Sequence, residues 1–262
     1  MKPQSKGATV VPPAEPLIRF DGVTAKFGPL HAMGPTTLNV ARGEFLAIVG
    51  PSGCGKSTLL NMVAGTLKPT DGSVHYKGKP VDGPNSDVGY ITQKNYCVPW
   101  RTVAGNVRMP MEFRGMPKAE MDERMKYALA QVGLTGFERA YPKQLSGGML
   151  QRVMIARTLA YGPSTYLMDE PFGSLDAQLR TKMHAKLLDI WQSTGATFVF
   201  VTHDLHEAIT LADRVVVMSR RPGRIKLIVK IELERPRDVV DVQADPAFGA
   251  YVKQLWHALD VH

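Results

Sequence analysis

Gly50 to Thr58 reads GPSGCGKST, and these residue types at this spacing suit the binding of a phosphate chain. The glycines, with Pro51, Ser52 and Cys54 between them, let backbone N–H groups close around phosphate oxygens without side-chain obstruction. Lys56 adds a point charge there, and the Ser57 hydroxyl can ligate Mg²⁺. The alternative is a purely structural glycine-rich turn. The setting argues against it, because the loop joins an apolar run, FLAIV (45–49), to a helical pattern that ends near Gly65.

Other reactive side chains fall at the ends of apolar runs. YLMDEP (166–171) delivers Asp169 and Glu170, neighbours that point opposite ways from a strand and so cannot share one job. Asp169 can hold Mg²⁺ while Glu170 polarises a water for attack on phosphorus. THD (202–204) brings His203 to the same sheet edge, in reach of a γ-phosphate or its attacking water. His203 and His206 could instead pair on a metal, although they straddle a strand-to-helix change and lack the i, i+4 spacing of helical metal sites. Gln93, closing GYITQ, can reach Mg²⁺ or water. Phe27 in KFG offers a face for a nucleobase, or is simply an exposed strand-end aromatic. LSGGMLQR (145–152) has a second anion-binding look: Ser146 is a good N-cap, followed by Gly147 and Gly148.

The elements that must position these groups follow a βα alternation. LIRFDGVTAKFG (17–28) and TTLNVARGEFLAIVG (36–50) read as strands, the second split by Arg42-Gly43, and LKPTDGSVHYKGKPV (67–81) as a hairpin. From about 95 to 139 the composition turns helical, with PKAEMDERMKYALAQVGL (117–134) opening on Pro117 in its first turn. SGGMLQRVMIARTLAYGP (146–163) is a helix stopped by Gly-Pro. STYLMDEP and ATFVFVTHD are strands, each followed by a helix, as in a parallel sheet. RVVVMSRRPGRIKLIVKIEL (214–233) supplies late strands, and DPAFGAYVKQLWHAL (245–259) a last helix.

The chain has 262 residues, 44% hydrophobic and 21% charged, ordinary values for a soluble globular fold. Its apolar runs are strand-length and far below a membrane span. The opening MKPQSKGATVVPPAEP has no apolar core and reads as a disordered leader, not a signal peptide. Cys54 and Cys97 make no disulfide framework. A net charge of +8 is spread out, densest at Arg220, Arg221 and Arg224, with no aromatic interleaving and no nucleic-acid motif. It reads as a solvated basic surface, comfortable beside a bilayer.

In this order and with these separations, GPSGCGKST, Gln93, LSGGMLQR, YLMDEP, SLD and THD strongly resemble the nucleotide-binding subunit of ATP-binding-cassette (ABC) transporters, over about residues 17–230. The resemblance implies an α/β fold: a P-loop NTPase (RecA-like) core, an antiparallel β subdomain, and a helical subdomain inserted at about 94–155. Residues 1–16 would be the leader and 231–262 a short C-terminal strand and helix extension. ATP and Mg²⁺ are the implied cofactors. By resemblance Phe27 stacks adenine, Lys56, Ser57 and Asp169 hold phosphates and Mg²⁺, Glu170 is the general base, and His203 the switch. Gln93 senses nucleotide and reports to the transmembrane subunit. Family members pair head-to-tail, so Ser146 and Gly148 would contact the γ-phosphate bound by a second copy, and Asp176 in SLD would link the two sites.

Leu150 departs from the family pattern, where a polar or basic residue is usual; it lies one turn before Met154, so core packing could account for it. YCVPWRTVAGNV (96–107) and SRRPGRI (219–225) look like the group importing nitrate, sulfonates and taurine. The implied partners are integral membrane permease subunits, a periplasmic or lipid-anchored solute-binding protein and a second copy, with no nucleic acid. The implied location is peripheral, on the cytoplasmic face of the inner membrane. Trp100 and Arg101 would meet a permease helix, or else pack within the helical lobe. A soluble ABC ATPase of nucleic acid or ribosomes, and an exporter ATPase, are the other classes. Finally, a thiol at the N-terminus of the phosphate-loop helix is expected to have a lowered pKa, which would make Cys54 reactive.

Overall fold

A computed structural model describes residues 15–94 and 96–259. The expected leader lies outside the described residues except for its last two. Ten strands are found among the described residues: β1 (Ile18–Phe27), β2 (Leu30–Val40), β3 (Phe45–Val49), β4 (Ser73–Tyr76), β5 (Lys79–Pro80), β6 (Val88–Ile91), β7 (Thr165–Asp169), β8 (Thr197–Val201), β9 (Arg214–Met218) and β10 (Ile225–Lys230). The α-helices among the described residues are α1 (Lys56–Val63), α2 (Val103–Phe113), α3 (Lys118–Gln131), α4 (Gly147–Tyr161), α5 (Ala177–Thr194), α6 (Leu205–Leu211) and α7 (Pro246–Leu259).

The strands form two sheets. One is antiparallel, in the order β2-β1-β4-β5; the other runs β10-β9-β3-β8-β7-β6 and is parallel except for β10. β3, β7 and β8 are buried along their whole length, which is why their sequences are continuous apolar runs and do not alternate. Phe45, Phe198 and Tyr166 stack across three neighbouring strands at 5.1 and 4.5 Å, tying the centre of the sheet together. The alternating faces of β3 divide the core. Phe45, Ala47 and Val49 join the helices α2–α6, whereas Leu46 and Ile48 join α1 and the antiparallel sheet.

α2, α3 and α4 pack on one another as a helical layer. Pro117 proves to be the cap of α3, one residue outside the helix. The C-terminal residues are continuous with the core: Ile231, Leu233, Val239, Phe248 and Leu255 are buried in the same cluster as β3 and β8. Arg237 fastens them. One guanidinium nitrogen donates to the carbonyls of Ile209, Thr210 and Ala212 at the end of α6, and the other to those of Ile231 and Leu233. The exposed C-terminal carbonyls of a helix are natural acceptors for such a cation.

Candidate active site

The phosphate loop leaves β3 and enters α1 through backbone that most residues resist. Gly53 has φ 73° and Gly55 φ 103°, both in the left-handed region open to glycine. Lys56 is buried beneath the loop, its Nζ donating to the carbonyls of Gly50 (2.7 Å) and Pro51 (3.1 Å). Ser52, Gly53, Gly55, Lys56, Ser57 and Thr58 line one open cleft of about 290 Å³. Phe27, at the end of β1 and nearly half exposed, forms part of its wall.

Asp169 ends β7 beneath this cleft and is buried. Burial raises its carboxyl above the usual range; a hydrogen bond from Ser57 and the charge of Lys56 act the other way. An aspartate and a serine oxygen held side by side next to a phosphate cradle are a donor set that suits a small hard cation.

Glu170 follows with φ 49°, a left-handed conformation that costs a residue with a Cβ roughly 1–2 kcal/mol and marks a site where geometry outweighs local comfort. Its N–H is held by Val201 O at 3.0 Å. Its Oε2 accepts from Gln93 Nε2 at 3.3 Å and lies 3.3 Å from His203 Nδ1. β6, β7 and β8 are adjacent in the sheet, so residues just past their C-terminal ends meet although 77 and 33 positions separate them from Glu170. Gln93 and Glu170 both line the phosphate cleft. A carboxylate poised between an amide and an imidazole can orient and deprotonate a water.

A buried network anchors Thr202, the residue before His203. Thr202 Oγ1 donates to Glu207 Oε2 at 2.6 Å, and His184 Nε2 sits 3.1 Å from Glu207 Oε1. The His184 ring meets Phe172, two residues beyond Glu170, edge-on. Burial pushes the Glu207 carboxyl up, but the hydrogen bonds from His184 and Thr202 outweigh it and hold the group below the usual range. His206 packs its ring against Phe248 at 5.5 Å. Sequence reasoning passed over His184 and Glu207, since only the fold brings α5 and α6 together.

The remaining candidates lie elsewhere. Ser146 caps α4 by accepting from Met149 N at 3.3 Å, and Asp176 caps α5 by accepting from Leu179 N at 2.9 Å. These two helix starts are packed together: a Cβ on Gly148 would come within 3.2 Å of the Ser174 carbonyl oxygen. Ser146, Gly147, Gly148 and Asp176 do not line the phosphate cleft. Met149 packs against the core while Leu150 is half-buried, so nothing in the structure explains the departure at Leu150. Trp100 is 78% exposed, which removes the packing explanation for it, and Arg101 pairs with Glu112.

One expectation fails. Cys54 does sit at the start of α1, but its side chain is buried at 1% exposure. Burial raises its thiol above the ordinary value, outweighing Lys56 and the backbone N–H groups that lower it.

The family model described as ABC transporter matches residues 33–173, more than half of the chain. This protein belongs to the ABC transporter family. As an ABC ATP-binding subunit it is 54% identical over 243 residues to an uncharacterised ABC transporter ATP-binding protein of Methanocaldococcus jannaschii, covering 93% of this chain and 88% of that one. It is 42% identical over 235 residues to the nitrate import ATP-binding protein NrtD of a Synechocystis species, covering 88% of each. Among solved structures, a dimeric ATP-binding cassette in a post-hydrolysis state bound to ADP and Pi is similar at a TM-score of 0.75 and 32% identity. That match covers 82% of this chain and 99% of the other. The ABC assignment agrees with the P-loop core, antiparallel sheet and helical layer seen here.

Proposed function

We propose that this ABC subunit hydrolyses MgATP between two head-to-tail copies and so drives uptake of a small solute through separate permease subunits in the membrane. The observation that carries the hydrolytic reading is the meeting of Gln93, Glu170 and His203 at one carboxylate oxygen beside the phosphate loop. Lys56, Ser57 and Thr58 bind the phosphates, Phe27 stacks the adenine, and Ser57, Gln93 and Asp169 hold Mg²⁺. The bound cation supplies charge neutralisation for the leaving phosphate. Glu170 takes the proton of the attacking water, and His203 fixes the γ-phosphate in line.

The position of the second anion-binding segment supports the dimer. Ser146, Gly147, Gly148 and Asp176 sit at two exposed, dipole-positive helix starts away from their own phosphate loop. The post-hydrolysis cassette that this chain resembles is itself dimeric. Import of a nitrate- or taurine-like solute is supported by relatives named for nitrate and taurine import. No helix among the described residues is long and apolar enough to cross a membrane, and Tyr96, Trp100 and Phe113 stand exposed on or beside the helical layer, available to a permease on the cytoplasmic face. A solute-binding protein would complete the importer.

The test is affinity purification of the tagged chain from detergent-solubilised membranes, with ATPase assay of the product. Recovery of an integral membrane partner whose solute-binding protein stimulates hydrolysis supports the reading. Recovery of ribosomes or DNA at physiological salt, or of an exporter, overturns it.

A further inference from the structure

The loop between β9 and β10, residues 219–224, is longer than an antiparallel turn requires and runs back onto the phosphate loop. Gly223 donates its N–H to Ala32 O at 3.1 Å and accepts from Gly34 N at 2.9 Å, so it joins the edge of β2. A Cβ on Gly223 would sit 1.7 Å from the Cys54 carbonyl oxygen, so the two loops touch backbone to backbone. From this platform Arg221 reaches across. Its Nε donates to the Gly53 carbonyl at 3.3 Å, and its Nη2 lies 2.7 Å from where a Cβ on Gly53 would stand.

The three arginines of this loop are therefore not equivalent. Arg224 packs along Gly34 of β2, and neither it nor Arg220 lines the phosphate cleft. Arg221 lines it together with Phe27, Lys56 and Thr58, is exposed, and makes no ion pair among the described residues. Its only hydrogen bond there uses one of five donors, leaving the rest of a planar cationic fork for a ligand. Lys56, by contrast, is buried and already donates to the carbonyls of Gly50 and Pro51.

We propose that Arg221 is a nucleotide-binding residue whose free donors contact the polyphosphate of ATP in the cleft it shares with Lys56 and Thr58. This rests on the ATP reading given above. It adds a contact supplied from 168 residues beyond the phosphate loop.

The experiment titrates the purified full chain with a fluorescent ATP analogue, comparing wild type, Arg221→Ala, Arg221→Gln and Arg220→Ala over a range of salt. Loss of one charge-assisted phosphate contact should weaken ATP about tenfold in Arg221→Ala. The salt dependence should flatten with it, and Arg220→Ala should stay within about twofold of wild type. Melting without nucleotide reports whether the loop survives. If Arg221→Ala unfolds, Arg221→Gln decides, because it keeps a donor for the Gly53 carbonyl and loses the charge and the terminal guanidinium donors. Unchanged affinity in a folded Arg221 variant overturns the inference while leaving the ATP reading intact. Failure of the wild type to bind ATP overturns the ATP reading itself.

Discussion

His203 Nδ1 lies 3.3 Å from Glu170 Oε2, the same oxygen to which Gln93 donates. The contact sits at the junction of two adjacent parallel strands, β7 and β8, whose register pairs Asp169 with Val201. The spacing of the pair is thus set by the sheet, and the flanking loops need only keep the two side chains turned toward each other.

Glu170→Gln keeps the shape of this junction and removes the proton acceptor. Steady-state hydrolysis should fall by about 10²- to 10⁴-fold while ATP affinity stays within a few-fold. Size exclusion in the presence of ATP should then show accumulated dimer. Turnover at the wild-type rate would refute the assignment of Glu170 as base.

Ser146→Arg places bulk and positive charge at the exposed start of α4, away from the chain's own phosphate loop. When mutant and wild-type chains are mixed, activity should drop below the wild-type fraction, because each mutant also spoils its partner's site. Activity strictly proportional to the wild-type fraction would mean that each chain completes its own site.

Cys54 should resist alkylation at neutral pH despite its place in the phosphate loop, since burial both hides the thiol and raises its pKa. Cys97 is also raised but less enclosed. Peptide mass spectrometry after maleimide treatment should find Cys97 modified first, and Cys54 only at high pH or on unfolding. Rapid labelling of Cys54 that ATP blocks would instead place the thiol in the cleft.

Glu207 is held below the usual carboxylate range in the fold, so its ionised form stabilises the native state. That contribution is complete above the unfolded value, near 4.5, and is lost as pH falls through the lowered folded value. Glu207→Gln should therefore melt below wild type at neutral pH, and the gap should narrow in acid. A gap that does not vary with pH would point to packing alone. Because a glutamine oxygen can accept from only one of Thr202 and His184, kcat should also drop, through a looser strand end at His203, with KM little changed.

The parts of the site readable in the sequence are those where a local rule fixes both element and neighbour. Apolar runs ending in Asp169-Glu170 or His203 must be buried parallel strands, and such strands bring their C-terminal ends to one edge. The glycines of 50–58 likewise announce a turn between strand and helix. What escaped was decided at long range. Cys54 was placed correctly at a helix start, but the fold packs it into the core beside Met218, some 160 residues on, and burial reverses the expected pKa shift. Arg221 looked like one member of a surface cluster, because nothing near it in sequence reveals that Gly53 lies beneath it. Trp100 could be packing or display; only the fold shows display.

Arg237 has a consequence for genetics. A stop codon just after Glu234 would spare Phe27, the phosphate loop, Gln93, Ser146, Glu170 and His203, every residue assigned a chemical task. It would also delete the guanidinium that holds five backbone carbonyls and the side chains of Val239, Phe248 and Leu255 that close the larger core. The shortened product would expose an apolar face and be cleared by cellular proteases. Such an allele would behave as a null through lost abundance, and inspection of its motifs would wrongly pass it as intact.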